Sequence, residues 1–149
     1  MRTQVGIIGS GPAGLLLAQL LHRDGIDSVV IERRSAEYVL SRVRAGVLEP
    51  GTVALLDGAG VGERMRREGM VDDFVDISFE GTHYRFNIKA LTGRSMMVYG
   101  QTEITRDLMD ARAASDAPAL YEAEALAVTG LESECPRVQF RRAGAVEEL

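Results

Sequence analysis

Cysteine is nearly absent: Cys135 is the only one in 149 residues. The chain therefore closes no disulfide on itself and builds no cysteine metal cluster. Long apolar runs are missing too, and none approaches the roughly 20 residues needed to span a bilayer. No secretory signal is expected, because glycines interrupt the apolar residues after Met1 and no cleavage site follows. Positive charge does not dominate; a net charge of −5 argues against a general nucleic-acid binder. Internal repeats and low-complexity segments are also absent. What remains is the composition of an ordinary globular protein, 46% hydrophobic and 26% charged, with room for one domain and a real core. The expectation is a cytoplasmic chain without nucleic-acid or membrane partners.

One stretch stands out against that background. Residues 5 to 32 read VGIIGSGPAGLLLAQLLHRDGIDSVVIE. A buried strand (Val5 to Ile8) runs into Gly9-Ser10-Gly11-Pro12-Ala13-Gly14, then an apolar helix, then a second strand (Ser28 to Ile31) ending on Glu32. This is the dinucleotide-binding fingerprint in its βαβ setting, which predicts a Rossmann-like α/β fold. Gly9 permits the tight turn, Gly11 lets the backbone approach a pyrophosphate, and Gly14 lets helix and strand pack closely. The pyrophosphate would sit at the helix N-terminus, where free N–H groups and the positive dipole end meet its charge. Pro12 suits the first helical position, and small Ala13 lets the backbone crowd the phosphates. Glu32 is placed to accept hydrogen bonds from an adenosine ribose. A carboxylate there repels a 2′-phosphate, so the site favours FAD or NAD over NADP. Leu15, Leu16, Leu17, Ala18, Leu20 and Leu21 make the helix apolar nearly all round, which predicts burial on all sides.

Arg33, Arg34, Arg42 and Arg44 follow directly. They leave the C-terminal end of a strand beside a phosphate site, where ligands bind in open α/β sheets, and the planar fork of arginine suits phosphate oxygens. A phosphate role for at least one of them is expected, against the plainer reading of a solvated loop. Further on, a helical turn is expected from Ser35 to Leu40, an irregular segment from Ser41 to Pro50, and helices around Thr52–Asp57 and Gly62–Glu68. Val75–Phe79 and Tyr84–Ile88 read as a hairpin turning at Glu80-Gly81, and Met96–Tyr99 as a strand. A helix follows through about Ala114, with Thr102 as its N-cap and Gln101 just before it. The tail is β-rich: Leu120–Tyr121, Ala125–Leu131, and a hairpin from Arg137 through Ala143-Gly144 to Leu149. Stopping at such a hairpin reads as a fragment.

RTQVGIIGSGPAGLLLAQLLHRDGID, VVIERRSAEYVLSRVRAGVLEPGTVALL and VYGQTEITRDLMDAR closely resemble the 4-hydroxybenzoate 3-monooxygenase family of class A flavoprotein aromatic hydroxylases. The similarity runs essentially the length of the chain, and RVRAGVLE is its most telling part. The resemblance implies non-covalent FAD, reduction by NADPH or NADH, and use of oxygen to hydroxylate 4-hydroxybenzoate to 3,4-dihydroxybenzoate. It assigns FAD to Gly9, Ser10, Gly11, Ala13, Gly14, Glu32, the segment Arg42, Val43, Arg44, Ala45, Gly46 and Val47, and Gln101. Arg33, Tyr38, Arg42 and Arg44 match positions implicated in holding the nicotinamide nucleotide; Arg34 matches a variable one, which leaves NADPH against NADH open. Residues 1–149 are then the N-terminal part of the FAD-binding domain, with an added β-rich portion and no substrate domain, from a protein expected to be a homodimer at full length.

The family's later Asp-Gly and Gly-Asp motifs and its phenol-binding residues find no counterpart here, so the isolated chain is expected to be inactive and no catalytic residue is assigned. His22 is expected on a helix surface, His83 in a hairpin turn, Asp107 and Asp110 on a helix face, and Cys135 as a bystander. Two alternatives stay open: a hydroxylase for another phenol, and an NAD-dependent dehydrogenase on an ordinary Rossmann domain.

Overall fold

All four residues of Ser28–Ile31 are buried, which marks a strand covered on both faces at the centre of a sheet. The computed structural model describes residues 1–42 and 45–149. In chain order the elements are β1 (Val5–Ile8), α1 (Pro12–Arg23), β2 (Ser28–Ile31), α2 (Ala36–Ser41), β3 (Val47–Leu48), α3 (Pro50–Gly58), α4 (Glu63–Glu68) and β4 (Met70–Asp72). There follow β5 (Phe74–Phe79), β6 (Thr82–Asn87), α5 (Ile88–Thr92), β7 (Met96–Val98), α6 (Gln101–Ala114), β8 (Ala119–Leu120), β9 (Ala123–Thr129), β10 (Arg137–Arg142) and β11 (Ala145–Glu148). They form two compact units, Met1–Val43 with Thr102–Leu149, and Arg44–Gln101.

The first unit holds a parallel sheet in the order β1-β2-β8 and an antiparallel sheet in the order β11-β10-β9. Val5 pairs with Ser28 and Ile8 with Ile31, so β1 and β2 end level at Gly9 and Glu32. Alternation along β2 divides the core in two. Val29 and Ile31 pack with Leu120, Ala123 and Phe140, while Val30 packs with Ile7 and Ala18 of α1. Burying each larger aliphatic side chain of this kind contributes about 1.5–3 kcal/mol.

Helix α1 begins at Pro12, where the missing N–H costs nothing. It ends in a left-handed turn at Gly25 (φ 72°). There Gly25 N–H donates to His22 O (3.1 Å) and Ile26 N–H to Leu21 O (2.9 Å), the paired bonds of a Schellman motif. The expectation that α1 is buried all round is corrected. Leu15, Ala18 and Gln19 are buried, but Leu17 is 46% exposed and Ala13 lies on the surface, because a helix laid on a sheet covers only one stripe.

Helix α6 is tied to this sheet by Arg112, itself only 3% exposed. Its guanidinium donates to Ser28 Oγ (3.1 Å), to the Ser28 carbonyl and to Pro118 O (3.0 Å). One side chain thus joins α6, the start of β2 and the entry to β8. Thr102 is not the N-cap expected for α6: the helix already includes Gln101, so Thr102 lies in its first turn.

In the second unit β3 and β4 flank β7, both antiparallel. The segment expected to be irregular up to Pro50 therefore contains a strand, since Val47 and Leu48 pair with Val98 and Met97. Strand β4 and helix α5 were not expected. Both are short and are fixed by contacts distant in sequence: Met70 to Asp72 pair with Val98 to Met96, and Ile88 N–H donates to Asp73 O (2.8 Å). The β5–β6 hairpin turns at Glu80-Gly81 as expected, with positive φ at both (48° and 76°), the twist that hairpins favour. His83 falls in β6 beside that turn rather than within it, with Nδ1 2.8 Å from Ser78 Oγ. A bidentate pair joins α4 to α3: Arg66 donates to both carboxylate oxygens of Asp57 (2.7 and 2.5 Å) and holds that carboxyl below its usual range. Among the described residues no helix is long and apolar enough to cross a membrane.

Replacing Arg112 with methionine keeps apolar bulk while stranding its acceptors. The expected loss is about 2–3 kcal/mol, the penalty for removing a buried charged donor. A lowered thermal midpoint of the flavin-free protein would report it.

Candidate dinucleotide-binding site

The site starts where β1 gives way to α1. Gly9 has φ 106°, a conformation that side-chain-bearing residues rarely adopt, and its N–H donates to Ile31 O (2.8 Å), which holds the turn against β2. Gly14 packs on that turn. A Cβ there would stand 2.2 Å from the Gly9 carbonyl oxygen and 3.3 Å from Ile7 Cγ2, so only glycine lets α1 come this close. Gly11 is different: it is the N-cap, with ordinary dihedrals (φ −68°, ψ 171°), and a Cβ would meet nothing within 4 Å. Among the described residues nothing demands glycine at that position. The open space lies outside the chain, where a ligand would approach.

No side chain caps α1 and no acid stands in its first turn. Among the described residues its first-turn N–H groups and positive dipole end therefore have no capping anion of their own, the condition for binding a phosphate there.

Glu32 follows β2 at the same edge. Its Oε2 accepts from the Ser10 backbone N–H (3.0 Å) and Ser10 Oγ–H (3.4 Å), and its Oε1 from Arg34 N–H (2.8 Å). The carboxylate is thus aimed by the glycine turn itself, and with about four lone-pair sites it keeps capacity for ribose hydroxyls. Ser10 is wholly buried.

The arginine segment divides. Arg33 is exposed. Tyr38, on α2, gathers two of its neighbours: Arg34 lies 5.0 Å from the ring centroid and Arg42 5.8 Å. Arg42 Nη1 also donates to the Tyr38 hydroxyl (3.3 Å). Ser35 caps this helix by accepting from Tyr38 N–H (3.2 Å). The result is an exposed basic, aromatic cluster suited to an anion. Val43 and Arg44 lie outside the described residues.

Ala45, Gly46, Val47 and Gln101 belong to the second unit. There Gly46 lies against residues 99 and 100: Tyr99 N–H donates to its carbonyl (2.6 Å), and a Cβ on Gly46 would be 2.9 Å from Gly100 Cα. The segment before β3 is in this way brought beside the start of α6, where Gln101 is the first helical residue rather than the one before it.

Tyr121 was not expected. It follows β8, and the chain around it wraps Glu32: Glu32 N–H donates to Leu120 O (2.8 Å), Ala123 N–H to Glu32 O (2.8 Å) and Glu122 N–H to Arg34 O (3.1 Å). Burial pushes the Tyr121 phenol above its usual range; the Glu32 charge adds to this, while the Ser10 hydroxyl and Arg112 oppose it. In the sequence its only signal was a tyrosine closing a short strand.

Residues 2–149 match the family described as FAD binding domain. The chain belongs to that family. Membership decides for FAD between the two dinucleotides that the glycine turn allowed. The chain is 45% identical over 145 residues to p-hydroxybenzoate hydroxylase of Acinetobacter baylyi, covering 97% of this chain and 36% of that protein. It thus spans about a third of the length of that relative. The fold is shared with p-nitrophenol 4-monooxygenase of Pseudomonas putida, with a TM-score of 0.84, 18% identity, and coverage of 97% of this chain and 38% of the other. Anhydrotetracycline hydroxylase of Streptomyces rimosus gives a TM-score of 0.83 at 22% identity, covering 99% of this chain and 30% of the other. The uncapped helix, the open space at Gly11 and the fixed carboxylate all fit the dinucleotide half of FAD.

The two glycines separate packing from binding in this FAD-binding fold. Gly14→Ala is expected to cost about 3 kcal/mol or more through its backbone clash. Gly11→Ala should leave the melting curve of the flavin-free protein unchanged. Thermal unfolding followed by circular dichroism checks both.

Proposed function

We propose that residues 1–149 are the N-terminal part of the FAD-binding domain of an NAD(P)H-dependent flavoprotein monooxygenase that hydroxylates 4-hydroxybenzoate to 3,4-dihydroxybenzoate. The observation that carries this is the 45% identity over 97% of the chain to p-hydroxybenzoate hydroxylase. Bound FAD would supply the electron transfer from the nicotinamide to oxygen. The overall reaction balances as phenol, O2, NAD(P)H and a proton giving catechol, water and NAD(P)+.

In this reading the chain's own residues bind and orient. The first-turn N–H groups of α1 hold the pyrophosphate, with Gly9 shaping the turn, Gly11 and Ala13 giving it access and Gly14 holding the helix close. Glu32, aimed by Ser10, accepts from the adenosine ribose diol. Arg42 to Val47 and Gln101 serve the flavin and pyrophosphate. Glu32 would repel a 2′-phosphate, so the reductant needs a place of its own. Arg33, Tyr38, Arg42 and Arg44 are assigned to it, supported by the Arg42 guanidinium at the Tyr38 ring and its bond to the Tyr38 hydroxyl. Catalytic and phenol-binding groups are assigned to the part of the protein beyond this chain, and the full-length protein is read as a cytoplasmic homodimer.

The full-length protein, purified with FAD, should oxidise NAD(P)H faster when 4-hydroxybenzoate is present and release 3,4-dihydroxybenzoate. Chromatography of the products reads this directly, and no stimulation by 4-hydroxybenzoate would refute the substrate. Residues 1–149 alone should form no product. Gly11→Ala in the full-length protein should weaken FAD binding at least tenfold, in line with about 1.4 kcal/mol or more of lost phosphate contact.

A further inference from the structure

We infer that the apolar face of the β5–β6 hairpin is a docking surface for the part of the full-length protein outside residues 1–149, the part to which the phenol-binding groups are assigned. The inference rests on the reading of this chain as a portion of a longer flavoprotein. It adds the surface by which the two portions meet. Three observations carry it.

The first is the division of the hairpin into two unlike faces. Residues directly opposite one another share a face of a sheet, and here Val75 pairs with Phe86, Ile77 with Tyr84 and Phe79 with Thr82. That face holds no charge. The other carries Asp76 against Arg85 (3.8 Å), Ser78 against His83 (2.8 Å), and the Arg85 guanidinium 4.5 Å from the centre of the Phe74 ring. Its polar groups are thus paired among themselves and suit water.

The second is that the apolar face lies open on a ribbon held firmly at its root. Among the described residues β5 and β6 pair only with each other, and Phe79 is 62%, Ile77 49%, Tyr84 47% and Phe86 40% exposed. A lone two-stranded hairpin is marginal in water. At the base, however, the Asp72 carboxylate accepts from Phe74 N–H (2.9 Å) and the Asp73 carbonyl from Ile88 N–H (2.8 Å). The Asp73 carboxylate accepts from Ser95 Oγ–H and from Lys89 Nζ. The face is presented ready to be covered.

The third is the size of the patch. At roughly 200 Å² per large side chain, those exposures come to about 400 Å² of apolar surface. A stable complex takes about 800 Å² from each partner, so this face alone does not hold a second copy. A segment of the same polypeptide needs less area, because its tether supplies an effective concentration on the order of millimolar. This chain covers 36% of p-hydroxybenzoate hydroxylase, and the larger remainder of such a protein supplies the occupant. Its contacting layer is apolar, since a charged group buried against this face would find no partner.

In the full-length protein, thiols introduced on the apolar face by Ile77→Cys or Tyr84→Cys should react with a water-soluble maleimide slowly. Those introduced on the polar face by Asp76→Cys or Ser78→Cys should react about tenfold faster or more, because only the first pair is covered. Peptide mass spectrometry reads each rate at its own site. Equal rates on the two faces would overturn the inference. So would slow labelling that turns fast when dilution dissociates the protein into monomers, because a second copy would then be the cover. Amide hydrogen exchange across residues 74–87 of the unsubstituted full-length protein depends on no variant folding. Protection lasting minutes or longer supports the inference, and exchange within seconds overturns it. Equal labelling in a protein that hydroxylates 4-hydroxybenzoate would remove this surface and leave the proposed reaction standing. Slow labelling of the apolar face in a protein without that activity would do the reverse.

Discussion

A helix can approach the end of β1 closely here because residue 14 has no side chain; a methyl group would lie 2.2 Å from the Gly9 carbonyl oxygen. That contact places the N-terminus of α1 directly above the turn, and the turn in turn reaches β2 through the bond from Gly9 to Ile31. The level ends of β1 and β2, the free N–H groups of the helix and the aim of Glu32 all follow from it. Close packing leaves no slack, so shifting the helix would shift the phosphate cradle and its acid together.

Around this junction the sheet supplies rigidity rather than chemistry. β2 is buried on both faces, with Val29 and Ile31 serving one core and Val30 the other. Arg112 anchors α6 to the start of the same strand, at the end of the sheet away from Glu32. The ligand edge is then free to carry polar groups, since the aliphatic alternation and the arginine hold the strands. Ser10, Glu32 and Tyr121 collect at that edge, each from a different strand end.

Much of this was legible in the sequence where the determinants are local. The βαβ unit was readable because glycine dihedrals, proline at the first helical position and strand alternation act within a few residues. The limits of β1 and β2, the start of α1 at Pro12 and the Glu80-Gly81 hairpin turn agree with expectation for that reason. Errors arose where long-range pairing decided: β3 and β4 are strands only because β7 lies between them. The apolar circumference of α1 suggested burial on every side, yet Leu17 is exposed, because hydrophobicity states what a helix can bury and not how many neighbours it has.

The sequence by itself determined the kind of ligand. A turn that only glycine can make, an uncapped helix start and a strand-terminal acid are properties of adjacent residues, and they specify a dinucleotide wherever the rest of the chain goes. Only the tertiary structure decided how the acid is held. The turn after β8 clasps the backbone of Glu32 because β8 returns parallel to β2, a crossover spanning the whole of the second unit. No local signal carries that information, since strand pairing across such a distance is set by which faces the core can bury.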